Sequence, residues 1–165
     1  MLNQVEKHLR RYSQELRPTI LDDLGWVPAI RFLADGISKR ASLPIHIDSE
    51  VSDRLPTIIE TTLYRFVQEA LTNAVKHAKA NKIWIRAWRE KSVLRCSIRD
   101  DGVGFDTRPK PRAGLRKGLG LVAMRERVSA VGGILQIESN PTRGTELSVR
   151  IPLEGNHASS NRTRR

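Results

Sequence analysis

Glu69, Asn73 and His77 stand at i, i+4 and i+8 in "LYRFVQEALTNAVKHAKA", with Lys76 beside them. Residues four apart stack along one helix face, so a carboxylate and an amide are brought together there. An Asn oxygen is a suitable ligand for a hard divalent cation, and a neighbouring Glu can orient or deprotonate a bound water. Mg²⁺ tolerates so sparse a protein shell because it takes its other ligands from water and phosphate oxygens. A solvated polar face has the same spacing, so this helix alone leaves both readings open. The second chemical stretch is "DDGVGF", Asp100–Phe105. Aspartate and glycine at that density suit any tight turn, and they also suit the floor of a ligand site. The third is "GLGL", Gly118–Leu121, whose glycines free the backbone at a helix start. Unpaired N–H groups and a positive dipole end gather at such a start.

These groups must be held by an alternating set of elements. Leu2–Leu16 has helical spacing, and "LRPTILDDLGW" interrupts it with Pro18 and Gly25. A helix is expected from about Trp26 to Arg40, with Val27, Ile30, Leu33, Ala34 and Ile37 on one face. "LPIHIDS" reads as a short strand, and Pro56 opens a long helix to about Ala80. Its apolar stripe is Ile59, Leu63, Phe66, Ala70 and Ala74. "NKIWIRAWRE" and "SVLRCSIRD" are alternating strands, with Glu90 and Lys91 placed in the turn between them. A further helix runs from Gly118 to the Gly132–Gly133 pair, and "ILQIES" and "TELSVRIPL" form a last strand pair. This order predicts an α/β fold: a two-layer α/β sandwich in which helices cover one face of a mixed sheet.

Alternation also assigns faces. Ile83, Ile85 and Ala87 should meet the helices together with Leu94, Cys96 and Ile98. Trp84 and Trp88 then lie among arginines on the outer face, either covering the sheet or docking another domain.

The chain has 165 residues, enough for one domain with a genuine core. Cys96 is its only cysteine, which excludes a disulfide framework and a cysteine-built metal site. A reducing, cytoplasmic setting fits. No apolar run is long enough to cross a bilayer, so the reading places no membrane contact in this chain. The net charge of +11 raises the question of nucleic acid. Residues 155–165 carry +3 of it and Asp106–Lys117 another +4, leaving +4 for everything else. No aromatic-interleaved binding signature accompanies these charges, which argues against a nucleic-acid partner.

"EALTNAVKHA", "DDGVGF", "KGLGL" and "RGTELSVRIP", in that order, resemble the N, G1, G2 and G3 boxes of the GHKL ATPase superfamily. The superfamily includes sensor histidine kinases and the ATPase domains of type II topoisomerases and heat-shock chaperones. Upstream, "LRPTILDDLGWVPAIRFLA" resembles the linker of the sensor kinases that pair with NarL-type response regulators. The resemblance implies four regions. Residues 1–17 would end a dimerisation helix, 18–25 form the linker, 26–154 the ATP-binding catalytic domain and 155–165 a disordered basic tail.

The resemblance implies roles as well. Asn73 would hold Mg²⁺ between nucleotide phosphates, with Glu69 as its catalytic neighbour. Lys76 and His77 would contact phosphate. Asp100 would accept the adenine amine, with Thr145 beside it, while Gly102 and Gly104 would give the base clearance. Gly118, Leu119, Gly120 and Leu121 would wrap phosphate. Asp106–Lys117 would form a basic ATP lid. Asp101 stands where many members carry Asn.

The implied activity is transfer of the ATP γ-phosphate to a histidine on a dimerisation helix outside this chain, for relay to a response regulator. The phosphoacceptor pattern is missing: His8 is followed by Leu9 and lies too close to the linker. The chain therefore reads as the C-terminal part of a longer, homodimeric, cytoplasmic kinase. Any membrane attachment would lie in segments of the parent outside it. Two competing readings share the boxes: an anti-sigma-factor-type serine kinase, which has no need of the linker, and a non-catalytic ATP-binding pseudokinase module.

Overall fold

The computed structural model describes residues 18–107 and 119–153. The expected dimerisation helix at 1–17, most of the lid, Gly118 and the basic tail lie outside the described residues.

Two helices come first, α1 (Thr19–Leu24) and α2 (Trp26–Ala41), followed by strand β1 (Ile45–Ser49). Helix α3 (Thr57–Asn73) runs on into a π-helical turn, Ala74–Ala78. Then come the hairpin β2 (Ile83–Glu90) and β3 (Val93–Asp100), helix α4 (Leu119–Ala130), and the pair β4 (Ile134–Ser139) and β5 (Thr145–Pro152). The five strands lie in the order β1-β2-β3-β5-β4. Only β1 and β2 are parallel.

The faces fall where alternation puts them. Ile83, Ile85, Ala87, Leu94, Cys96 and Ile98 are all buried, joined by Leu147, Val149 and Ile151 of β5. Against this face α3 sets Leu63, Phe66, Val67 and Leu71, and α4 sets Met124 and Val128. Burial pushes the Cys96 thiol up to about 12, so it is an inert core group. On the outer face His46 stacks on Trp84 with ring centroids 6.4 Å apart. The Arg86 guanidinium lies 5.0 Å above the Trp88 ring.

One local expectation is corrected. The hairpin turn is Lys91–Ser92, because Glu90 pairs with Val93 and remains in the strand. Lys91 takes the positive φ of 55° that a two-residue loop demands. Segment 18–25 contains α1, docked on the domain through the fully buried Leu21. Arg54 secures it: both Nη atoms donate to the Asp22 carbonyl at 3.3 Å. Arg54 Nε also donates to the fully buried Glu60 carboxylate of α3 at 2.9 Å. Glu60 accepts a further bond from the Leu55 N–H at 3.1 Å. A carboxylate with no solvent contact persists only when so provided for.

Candidate functional site

Helix α3 sets the first part of the site. Pro56 stands just before it, and its carbonyl accepts from the N–H groups of Ile59 and Glu60 at 2.8 and 3.0 Å. Burial of Phe66, Val67, Ala70 and Leu71 fixes the rotation of the helix. Glu69 and Asn73 are thereby left half-buried at the margin of that stripe. Helix α4 begins against them. A Cβ built on Gly120 would overlap Glu69 Oε1 and lie 3.8 Å from Asn73 Nδ2. Any larger residue there would push the Glu69 carboxylate from its place. The structure thus brings Glu69, Asn73 and Gly120 together at the N-terminus of a 12-residue helix, with Leu121 half-buried in its first turn.

The π turn alters the expected stacking. Lys76 and His77 lie inside Ala74–Ala78, where hydrogen bonding follows i→i+5 rather than i→i+4. The i, i+4 relation that aligns Asn73 under Glu69 therefore does not extend to His77. Both Lys76 and His77 are exposed. Lys79 ends the turn at a φ of 50°.

The second part is a row of residues across the sheet. Ile83, Asp100, Thr145 and Ser139 are successive register partners on β2, β3, β5 and β4, so their side chains share one face. Asp100 is only 7% exposed. Its Oδ1 accepts from the Gly102 N–H at 2.9 Å. Burial nevertheless dominates and holds the Asp100 carboxyl above the usual aspartate range. Asp101 faces the other way. Its Oδ1 accepts from the Lys82 and Asn81 N–H groups at 3.0 and 2.7 Å, which pulls its carboxyl below the ordinary range. The paired aspartates therefore do different work: one is a buried acceptor at a strand end, the other a brace for the start of β2.

Gly102 and Gly104 make room, but protein backbone fills it. A Cβ on Gly102 would overlap the Ala78 carbonyl oxygen. The adjacent Val103 N–H donates to that oxygen at 2.8 Å and so caps the end of the π turn. Gly104, at a φ of 60°, has no room for a Cβ beside the carbonyls of Asn140 and Gly144. The Val103 carbonyl in turn accepts from the Thr142 N–H at 2.7 Å. "DDGVGF" is thus clamped between the end of the α3–π helix and the β4–β5 turn.

Residues 58–155 match the family described as histidine kinase-, DNA gyrase B-, and HSP90-like ATPases. The chain belongs to this ATPase family. It is 38% identical to "Sensor histidine kinase MctS" of Rhizobium johnstonii over 156 residues, 94% of this chain and 33% of that protein. It is 34% identical to "Signal transduction histidine-protein kinase/phosphatase DegS" of Brevibacillus brevis over 148 residues, 88% of this chain and 37% of that one. The ATPase domain therefore spans about a third of the length of these relatives. Among solved structures it superimposes on the histidine kinase domain of a blue-light activated kinase from Erythrobacter litoralis EL346. The TM-score is 0.62 at 25% identity, over 75% of this chain and 59% of that one. Acinetobacter baumannii histidine kinase AdeS shares the fold at a TM-score of 0.62 and 15% identity, over 93% of this chain and 82% of that one.

One residue of the site escaped the sequence reading. Ser139, 6% exposed, ends β4 and touches three partners. Its Oγ accepts from the Phe105 N–H at 2.8 Å, lies 3.1 Å from the Gly144 carbonyl and 2.9 Å from Thr145 Oγ1. Alternation carried a signal for it: after Leu135 and Ile137, the third inward position of β4 is a hydroxyl. No described helix of this ATPase domain is long and apolar enough to cross a membrane.

Proposed function

We propose that the chain is the ATP- and Mg²⁺-binding catalytic domain of a sensor histidine kinase. It would position the γ-phosphate for attack by a histidine on a dimerisation helix elsewhere in the parent protein. One observation carries the reading: a buried carboxylate at a strand end, Asp100, is preorganised beside Thr145 while Glu69 and Asn73 meet the start of α4. A fixed acceptor matches the adenine amine and disfavours guanine, which presents a carbonyl oxygen at that position. The half-buried Asn73 amide and Glu69 carboxylate supply hard oxygen donors, which fit Mg²⁺. Among the described residues no cluster of three or more His, Cys, Asp or Glu could hold a metal by itself. Such a shell suits an ion that takes most of its ligands from phosphates and water.

Bound Mg²⁺ would offset charge on the phosphates. Asn73 would hold the ion, Glu69 would orient the neighbouring water, and Lys76 and His77 would contact phosphate from the π turn. Gly118, Leu119, Gly120 and Leu121 would offer backbone at the phosphate end. Phosphoryl transfer depends chiefly on positioning and charge stabilisation, so the nucleophile need not belong to this chain. The same reading makes residues 1–17 the end of the dimerisation helix of a homodimeric parent acting in the cytoplasm. The "LRPTILDDLG" segment supports a NarL-type response regulator as the partner that receives the phosphate.

Calorimetry with a non-hydrolysable ATP analogue tests the reading. Binding should need Asp100 and weaken without Mg²⁺; no binding, or undiminished binding by Asp100→Ala, refutes it. Mixing the chain with ATP and a dimerisation domain that carries the acceptor histidine should then give acid-labile phosphohistidine. A phosphoserine product on a protein substrate would instead support the anti-sigma-factor-type kinase, and nucleotide binding without transfer would support a pseudokinase.

A further inference from the structure

The contacts of Ser139 allow a proton inventory. A serine hydroxyl has one proton and two lone pairs. The Phe105 N–H can only donate, so it occupies a lone pair. The Gly144 carbonyl can only accept, so its bond at 3.1 Å takes the Ser139 proton. Either hydroxyl could donate in the remaining contact, with Thr145 Oγ1 at 2.9 Å. With the Ser139 proton already committed, all three bonds form only if Thr145 donates. The reverse assignment forfeits the Gly144 bond inside a nearly closed site, and lost bonds are costly where water cannot replace them.

The Thr145 hydroxyl is left with lone pairs alone on its other side. Thr145 is the register partner of Asp100, and the two side chains share a face. The site therefore shows a ligand two acceptors, a carboxylate and a hydroxyl with its proton turned away. We propose that Ser139 is a positioning residue for base selection, which fixes the Thr145 hydroxyl as an acceptor so that the pair favours an amino group over a carbonyl. The inference rests on the ATP reading above and adds a residue that need not touch the nucleotide.

ATP and ITP test it, because they share ribose and triphosphate and differ at one purine edge: adenine presents a C6 amine and an N1 acceptor, hypoxanthine a C6 carbonyl and an N1–H. Competition against a fluorescent ATP analogue gives each affinity for the native chain. ATP should win by about tenfold or more, the scale set when a buried polar group is left unpaired. Ser139→Ala releases the Thr145 proton to face the carbonyl of ITP, so the ATP to ITP ratio should fall at least about threefold. Ser139→Thr should restore it. A purely structural role would weaken both nucleotides alike, and an unchanged ratio in Ser139→Ala overturns the proposal.

Removing the hydroxyl with Thr145→Val should make Ser139→Ala silent on the ratio; a persisting effect in that background also overturns it. Should Ser139→Ala not fold, the near-isosteric Ser139→Cys tests the same direction, a lower ratio supporting and an unchanged one refuting. A native chain that binds neither nucleotide, or both equally, overturns the adenine reading together with this inference. Failure in the variants alone overturns only the role of Ser139.

Discussion

Gly102→Ala separates two reasons for a glycine in "DDGVGF". If the glycine only clears space for a base, the substitution weakens nucleotide binding and leaves the empty fold as stable as before. The structure argues for a different outcome. The added Cβ would overlap the Ala78 carbonyl oxygen and lie 2.8 Å from both the carbonyl carbon and Cβ of Ala78. Two of these three atoms are backbone, so no side-chain rotation relieves the clash. Overpacking of this kind costs about 1–3 kcal/mol. Separating the segments also loses the Val103 N–H to Ala78 bond, worth about 0.5–1.5 kcal/mol. The stiffer unfolded chain returns about 0.4–1 kcal/mol. The net expectation is destabilisation by about 0.5–4 kcal/mol, and at the middle of that range a fall in the urea midpoint of about 1 M for a typical dependence on denaturant. Unfolding of the ligand-free protein, followed by tryptophan fluorescence, measures it. Gly36→Ala is the control: Gly36 lies in α2, and its new Cβ would meet only the mobile end of Arg40, 3.3 Å away. That change should stabilise by about 0.5–1 kcal/mol. A Gly102→Ala protein within about 0.5 kcal/mol of wild type, the ordinary scatter of neutral substitutions, would refute the backbone argument.

Asp100→Asn should abolish nucleotide binding while leaving the empty protein as stable as wild type or more so at neutral pH. The sign follows from burial, which raises the folded carboxyl pKa above its unfolded value. The wild-type group therefore loses stability as pH rises through that window, so the variant's advantage should grow from acid to neutral pH in thermal unfolding and vanish below the unfolded pKa. Asp101 has the opposite shift, lowered by the Lys82 and Asn81 N–H groups. Asp101→Ala should cost about 0.5–1 kcal/mol near neutrality after solvent screening, and the gap to wild type should close as pH falls through the folded pKa. Glu60→Gln keeps the shape but removes the charge facing Arg54, and denaturant unfolding should show a loss of about 1–3 kcal/mol. Limited proteolysis should then cut first near Asp22, whose carbonyl Arg54 holds.

Much of this was legible in the chain, and the exceptions have physical causes. The inward sets of β2 and β3 follow from strict alternation, which a strand cannot violate without turning its core to water. Helix α1 was hidden by its own boundary signals: Pro18 and Gly25 read as breakers, yet they flank a six-residue helix as its N-terminal and C-terminal caps. The π turn leaves no composition of its own, because "AVKHA" suits an α-helix equally well. Its length is set by tertiary contact, where Val103 caps Ala78. The Glu60–Arg54 pair joins a loop to a helix, and no helical or strand period relates two such positions. Glu69 and Asn73 share a face because the i, i+4 relation holds through them, and His77 leaves that line because the π turn begins at Ala74.

The two halves of the site are held by different physics. The half around Asp100, Thr145 and Ser139 is built from strand ends and turns whose backbones touch, with Gly102, Gly104 and Gly144 each set where a Cβ would strike a carbonyl. Changing that half alters the packing of α3 against the sheet, so binding and stability should move together. The half around Glu69 and Asn73 is made of side chains at the margin of a buried stripe, and they meet α4 at Gly120. Shortening Asn73 removes the proposed Mg²⁺ ligand without opening the core, so nucleotide binding there should be separable from stability. "DDGVGF" belongs wholly to the first half. It is a turn because it must clamp a helix end, and its buried carboxylate is a candidate reader of adenine because the clamp fixes where that carboxylate points.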